Sequence, residues 1–167
     1  MKLYMVSLGG KVKGGNIEVH DIQFVAGNQV EDTIDALKEN WYGLPLKLHM
    51  DSYKLINGAQ GYEIQLTQQK PSQKQKLYFV HFGGYKKDCT QELHDVAFYV
   101  GESEPEVRDR ALSEANVADI ENHVDSIVGV EEVLLSADGK QYFIELIKTD
   151  EKYNMEPDWF GYRRLDV

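Results

Sequence analysis

The sequence predicts an α+β fold in which two tandem ββαββ repeats pack as an intramolecular pseudo-two-fold dimer. The first observation is an internal repeat, because Glu-Val-His-Asp at residues 18–21 returns as Glu-Leu-His-Asp at residues 92–95, a step of 74 from His20 to His94. The second is the order of apolar patterns in each half, which are strand-like, then helical, then strand-like again. The third is a polar, proline-containing stretch at residues 68–75, which is typical of a linker.

The first repeat contains four predicted strands and one predicted helix. Apolar, β-branched and aromatic runs place the strands at residues 3–8, 17–26, 46–56 and 62–67. Asn28 and Glu31 have the spacing of a capping box, and Pro45 ends the helix because proline cannot continue it. The apolar stripe of this helix is formed by Val30, Ile34, Leu37 and Trp41. The last two strands are predicted to turn at Asn57-Gly58. One helix on a four-stranded sheet covers only one face, so we expect the two repeats to bury their other faces together.

The second repeat has the same predicted order, with strands at residues 77–82, 91–100, 123–135 and 141–147. Ser103 and Glu106 give its helix a capping box, and the helix is predicted to end near Asn116. The chain then divides into a first repeat at 1–67, a linker at 68–75, a second repeat at 76–147 and a tail at 148–167. The tail carries Trp159 and Phe160, so we expect it to dock on the outside of the core.

The composition is that of a soluble globular protein, and its charge argues against two classes of partner. The formal net charge is −10, which repels phosphate backbones and anionic lipids, so neither nucleic acid nor a membrane is an expected partner. The single cysteine forms no internal disulfide and the first residues have no signal-peptide pattern, so we expect a cytoplasmic location. A protein partner, a small ligand and a homo-oligomer all stay open, and the sequence defines no cofactor.

Several motifs of the first repeat resemble those of a known bacterial family. They are Leu8-Gly9-Gly10, Glu18-x-His20-Asp21-x-x-Phe24-x-x-Gly27, Trp41-x-Gly43, His49-x-Asp51-Ser52 and Gly61-Tyr62-x-Ile64-x-Leu66. This pattern resembles the domain of unknown function 1543, which occurs in one or two copies per chain. The resemblance implies a bacterial, two-copy member of that family and brings no activity. The second repeat departs from the pattern at Phe82, at Asn116-Val117 and at Lys140-Gln141.

The candidate site consists of two histidine and carboxylate motifs that occur in both repeats. The candidate metal ligands are Glu18, His20, His49 and Asp51, with Glu92, His94, His123 and Asp125 as their counterparts. Strand alternation places His20 with Phe24 on an apolar, core-facing side, and places His49 on one face with Asp51 and Tyr53. Two imidazoles and a carboxylate can hold zinc, manganese or iron, although no compact motif such as HExxH is present.

Three interpretations of these residues compete. The sequence favours a structural role, in which the histidines satisfy buried polar groups and His20→Ala destabilises the fold by about 1–3 kcal/mol without a specific functional loss. The second interpretation is a metal site. The third is a His–Asp general base near Ser52 or Ser126, for which no catalytic residue can be assigned. The leading functional prediction is therefore a non-enzymatic binding or assembly domain. The alternative is a small metal-binding protein or metal-dependent enzyme.

A glycine-rich hairpin loop in the first repeat offers a candidate anion site. The lysines concerned are Lys11 and Lys13, with Lys86 and Lys87 in the corresponding loop of the second repeat. Backbone N–H groups and lysines can hold an anion together. The Gly-Lys-Ser/Thr ending of a P-loop is absent and a strand follows instead of a helix, so a long hairpin turn explains these glycines better.

Overall fold

A computed structural model describes residues 1–115 and 121–166 of the chain. Within these ranges the protein is mostly β-strand with two α-helices and three sheets, which confirms the predicted α+β class. The first half contains β1 (Lys2–Gly10), β2 (Val19–Gly27), a 3₁₀ turn (Val30–Thr33), α1 (Ile34–Asn40), β3 (His49–Leu55), β4 (Gly58–Ala59) and β5 (Tyr62–Thr67). Among the described residues, no helix combines the length and apolarity needed to cross a bilayer.

The second half repeats this order and then adds one strand. Its elements are β6 (Lys76–Tyr85), β7 (Leu93–Gly101), α2 (Glu104–Glu114), β8 (Glu121–Gly129), a 3₁₀ turn (Val130–Val133), β9 (Leu135–Ser136), β10 (Phe143–Lys148) and β11 (Trp159–Arg164). Ser103 caps α2 as predicted, because its hydroxyl accepts from the backbone N–H of Glu106 at 3.5 Å. The helix end predicted at Asn116 lies outside the described residues.

The described strands form three sheets with the orders β11-β3-β1-β2-β9, β7-β6-β8 and β10-β5-β4. The central strands β1 and β6 each pair antiparallel with two neighbours from their own half. The register of β1 with β3 shifts between Ser7 and Leu8, and that of β6 with β8 shifts between His81 and Phe82. These irregularities are 74 residues apart, the same step as in the sequence.

The last strands of the two halves pair with each other. β5 runs antiparallel to β10, with Ile64 opposite Leu146 and Gln65 opposite Glu145. The four-stranded sheet expected within each repeat is therefore wrong, because the fourth strand crosses to the other half. The pairing places Ile64 and Ile144 in an apolar cluster to which both halves contribute.

This shared cluster joins the two larger sheets, and we call the sheet faces that contribute to it the inner faces. At its centre Phe24 meets Phe79 and Phe98 edge to face, with ring centroids 5.2 and 5.9 Å apart, and each such pair contributes about 0.5–1.5 kcal/mol beyond its buried area. Two further clusters lie on the outer faces, one with Leu37 of α1 and one with Val107 of α2. Each helix therefore covers the outer face of its own sheet.

The start of the first helical segment differs from the prediction by one residue. Gln29, not Asn28, is the N-cap of the 3₁₀ turn, and Asp32 accepts from its backbone N–H at 3.3 Å. α1 ends before Trp41, whose indole N–H donates to the carbonyl oxygen of Leu44 at 3.1 Å. The predicted helical stripe is therefore shorter by one position.

The β4–β5 turn also differs from the prediction. Gln60 and Gly61 both have positive φ, 45° and 79°, and form the turn in place of Asn57-Gly58. Two positive φ values in a two-residue loop match the twist of a hairpin, and glycine adopts such a φ without strain.

The C-terminal segment folds back along the edge of β3 as β11, with Trp159 opposite Tyr53. Beyond the strand, Asp166 accepts from the backbone N–H of Lys47 at 2.7 Å and from the Arg164 guanidinium at 2.8 Å. The guanidinium and the backbone N–H lower the pKa of Asp166 to about 2. These contacts fix the end of the chain beside the first strand that carries a candidate ligand.

Candidate functional site

Two clusters of histidines and carboxylates occupy corresponding places in the two halves. The first cluster consists of Glu18, His20, His49 and Asp51. The second cluster consists of His81, Glu92, His94, His123 and Asp125. The eight candidate metal ligands named from the sequence fall into these two clusters, four in each, and His81 is an additional member.

A glycine on each central strand makes room for its cluster. On β1, Gly9 lies directly opposite both His20 of β2 and His49 of β3, and Gly83 of β6 has the same relation to the histidines of β7 and β8. Residues opposite each other point to the same side of a sheet, so two imidazoles meet beside each glycine. A Cβ on Gly9 would overlap with His49 Nε2, and a Cβ on Gly83 would lie 2.6 Å from His123 Nε2. Neither position can take a side chain unless the cluster moves.

A β-bulge turns the aspartate of the first cluster toward the histidines. The register of β1 with β3 leaves Asp51 as an extra residue between Met50 and Ser52, and such a bulge re-aims the side chain that it carries. The bulge also shifts the alternation of β3, so Tyr53 packs with Met50 in the outer-face cluster. The prediction that Tyr53 shares a face with His49 is therefore wrong.

His49 is the buried member of the first cluster, with 2% of its surface exposed. Its Nδ1 lies 2.8 Å from the carbonyl oxygen of Lys47, and because a carbonyl can only accept, Nδ1 carries a proton. In the neutral ring, Nε2 therefore presents its lone pair to Asp51 Oδ1, 3.3 Å away. Two acceptors at this distance require a cation between them, and a carbonyl on Nδ1 is what orients many metal-ligating histidines. Tyr162 of β11 covers the ring, with centroids 4.2 Å apart.

His20 is exposed, so the prediction that it faces the core is wrong. Its side chain keeps 55% of its accessible surface, and Nε2 lies 3.5 Å from Asp51 Oδ2 and 3.7 Å from Glu18 Oε1. It does share the inner face with Ile22 and Phe24, as strand alternation predicted. The packed core between the sheets includes those two residues and ends before His20, so its ring reaches solvent.

The second cluster has shorter contacts. His123 Nε2 lies 2.7 Å from Asp125 Oδ1 and 3.0 Å from Glu92 Oε1. The other oxygens of these carboxylates are also approached by imidazoles, Glu92 Oε2 by His94 Nε2 at 3.3 Å and Asp125 Oδ2 by His81 Nδ1 at 3.1 Å. Each carboxylate thus lies between two imidazole nitrogens, and the partial exposure of all five side chains leaves an ion a route from solvent.

Charge in the second cluster is unbalanced when the imidazoles are neutral. Glu92 and Asp125 bring two negative charges, and Glu92 Oε1 is buried without a well-formed hydrogen bond from the described residues. A hydrogen bond and the negative charge of Glu92 raise the pKa of Tyr85, whose ring stacks on His123 at 5.4 Å. Buried carboxylate oxygens without partners are costly. A divalent cation among these groups would satisfy both carboxylates.

The sequence gave no indication of His81. Its counterpart 74 residues earlier is Ser7, so a search for residues that both repeats share passes over it. A signal was nevertheless present, since His81 and Gly83 are two residues apart on β6 and so lie on one face. The His81 ring lies 4.8 Å from that of His94. The second cluster therefore has three imidazoles and the first has two.

The four candidate anion-binding lysines lie in two hairpin loops. Lys11 is partly buried, whereas Lys13, Lys86 and Lys87 are exposed. The Lys11 carbonyl oxygen accepts from the backbone N–H of Leu44 at 2.7 Å, which ties the loop to the segment after α1. Gly14 has a φ of 81°, as the hairpin-turn interpretation requires. The anion site stays a prediction.

Two face-packed sheets with paired histidine and carboxylate clusters define an α+β protein with two candidate metal centres. The sequence profile described as Domain of Unknown Function (DUF1543) matches residues 15–66, which contain the first cluster. The chain is also similar to a solved structure, titled "Crystal structure of a protein Il1583 from Idiomarina loihiensis", with 31% sequence identity and a TM-score of 0.77, over 98% of this chain and 97% of that chain. No protein of curated function matches. The chain belongs to the DUF1543 family, as its motifs predicted.

Proposed function

We propose that this protein binds a divalent transition-metal ion at the second cluster and a second, weaker one at the first cluster. The proposal adopts the metal-binding alternative drawn from the sequence. It keeps the non-enzymatic binding role of the leading prediction, because holding an ion requires no catalysed reaction. Zinc, manganese and iron are the ions that mixed imidazole and carboxylate ligands suit, whereas calcium and magnesium prefer oxygen alone.

One observation carries the proposal: imidazole nitrogens and carboxylate oxygens converge beside a strand glycine whose Cβ would fill the space. Ligand bonds of 2.0–2.1 Å in a tetrahedral zinc shell put neighbouring ligand atoms about 3.3–3.4 Å apart. The separations in the first cluster are 3.3, 3.5 and 3.7 Å, and those around Glu92 and Asp125 run from 2.7 to 3.3 Å. Both sets support a metal shell after adjustments of a few tenths of an ångström.

We infer that the second cluster binds more tightly. It has a third imidazole, His81, where the first cluster has Ser7. It also contains the buried, unpaired oxygen of Glu92, which a cation would satisfy. The first cluster depends on the exposed His20 for its second imidazole, and ordering an exposed side chain costs conformational entropy.

We also propose that the chain is a tandem duplication of two ββαββ repeats related by a pseudo-two-fold axis. Along the last strands the repeats correspond at a step of 80 residues, from Gln65 to Glu145. These two residues lie opposite each other in the β5–β10 pair. In a two-fold contact, equivalent residues face each other at the axis, so this register supports the proposal.

Metal analysis of protein purified without an affinity tag or chelator tests the metal proposal. Titration with Zn²⁺, Mn²⁺ and Co²⁺ should give up to two ions per wild-type chain. Asp125→Asn should lose the tighter ion and Asp51→Asn the weaker one. Asp95→Asn is the matched control, since Asp95 is a carboxylate on β7 beside His94 but outside both clusters, and it should keep both ions. Wild-type protein that takes up no ion would show that the clusters are structural.

A further inference from the structure

A cavity of about 830 Å³ lies between the inner faces, beside the second cluster. Its apolar walls come from both sheets and are formed by Ile22, Phe24, Phe79, Val96 and Val128. Small-molecule sites in proteins have volumes of about 300–1,000 Å³ and mostly apolar walls with a few polar groups. The size and lining are therefore those of a site for a small organic molecule.

The polar end of the cavity is formed by candidate metal ligands. His81 and His94 of the second cluster line it, as does His20 of the first. An ion at the second cluster would therefore lie at the cavity wall, within reach of a molecule inside. Asp21 and Asp95 also line the cavity, and without an ion their charges would repel an anionic ligand.

A buried acceptor inside the cavity has no partner. Gln23 is 4% exposed and lines the cavity. Its Nε2 donates to Asp21 Oδ2 at 3.5 Å, which assigns the other amide atom as the oxygen, and that oxygen receives no hydrogen bond from the described residues. Buried polar atoms are nearly always paired, so the oxygen indicates a ligand that brings a hydroxyl or N–H donor.

We propose that this cavity binds a small organic anion with a ring-sized apolar body, an oxygen head that coordinates the metal ion, and a hydrogen-bond donor for Gln23. The proposal rests on the proposed metal binding, because the ion supplies the positive charge that the head requires. The apolar body lies against Phe24 and Phe79. A hydroxylated aromatic acid is the simplest class of molecule with these three features.

Calorimetric titration of zinc-loaded protein with benzohydroxamate tests this, because that probe combines an aromatic ring, two chelating oxygens and an N–H donor. Acetohydroxamate, which lacks the ring, should bind at least tenfold more weakly, and metal-free protein should bind neither probe. Val96→Phe fills the cavity and Gln23→Leu removes the acceptor. Both variants should keep the wild-type zinc stoichiometry, and their affinity for benzohydroxamate should fall at least tenfold and about threefold, respectively.

The outcomes separate this inference from the metal proposal. Zinc binding with equal affinity for the two hydroxamates, or with unchanged benzohydroxamate affinity in Val96→Phe, overturns the cavity site and leaves the metal site standing. Equal benzohydroxamate binding by metal-free and zinc-loaded protein overturns the role of the ion in the cavity. Failure to bind zinc overturns both proposals.

Discussion

The substitution Gly83→Ala should abolish metal binding at the second cluster while leaving the metal-free fold nearly unchanged. The new Cβ would lie 2.6 Å from both His123 Nε2 and Glu92 Oε1 and 2.8 Å from Asp125 Oδ1. To reach ordinary contact at 3.4 Å, the first two atoms must retreat by about 0.8 Å and the third by about 0.6 Å. Metal–ligand distances tolerate only about ±0.2 Å, so three ligands are displaced at once.

The loss can be expressed as a change in stability. Removing one supporting contact of a metal ligand weakens binding by about 10–100-fold, so displacing three ligands should weaken it by at least about 100-fold. At free zinc of 100 times the wild-type dissociation constant, zinc raises the wild-type free energy of unfolding by about 2.7 kcal/mol. A 100-fold weaker site raises it by only about 0.4 kcal/mol. Without zinc, Gly83→Ala should change the free energy of unfolding by less than about 1 kcal/mol, because flexible side-chain ends can move aside.

Urea unfolding with and without zinc measures both quantities. All proteins should carry Asp51→Asn, so that the first cluster does not contribute. Gly101→Ala is the matched control, since its Cβ would lie 2.6 Å from Val107 Cγ2 in the core. It should destabilise the fold by about 1–3 kcal/mol and keep the full zinc increment. A Gly83→Ala protein that also keeps the full increment would refute the reasoning.

Three further predictions follow from burial and charge. In metal-free protein, His49→Ala should lower the free energy of unfolding by about 1–3 kcal/mol and the exposed His20→Ala by less than about 0.5 kcal/mol, and equal losses in urea unfolding would contradict this difference. The pKa of Asp166 is lowered to about 2 by Arg164, so its carboxylate stabilises the fold above about pH 4. The stability difference between wild type and Asp166→Asn should therefore shrink as the pH falls from about 4 to 2, and a difference that grows on acidification would be inconsistent with it. Phe79→Ala should cost about 3–5 kcal/mol in thermal or urea unfolding, whereas a loss below about 1 kcal/mol would mean that the sheets do not pack through this ring.

The internal repeat made the eight candidate ligands predictable, because each stands at the same step in both halves. The exposure of His20 was not predictable in this way. Strand alternation gave its face correctly, but the extent of the packed core depends on how far two sheets overlap, which is a long-range property. The bulge at Asp51 depends likewise on the pairing of β1 with β3 and reversed the face predicted for Tyr53.

The sequence was least informative where the two halves differ. His81 replaces Ser7, so a search for shared residues could not select it. The crossing of β5 to β10 was also hidden, because a ββαββ pattern specifies which segments are strands and not which strands pair. The apolar residues of β5 and β10 are equally consistent with a sheet inside each repeat, and the choice rests on the core that Ile64 and Ile144 share.

The β5–β10 pair has a consequence for how this protein can change over evolutionary time. A two-fold contact between separate, identical chains would force any change in one metal cluster to appear in the other. Here both halves belong to one chain, so a substitution alters one cluster alone. His81 opposite Ser7 is such a difference, and it allows the two centres to differ in affinity, in the ion they select and in the molecule that reaches them.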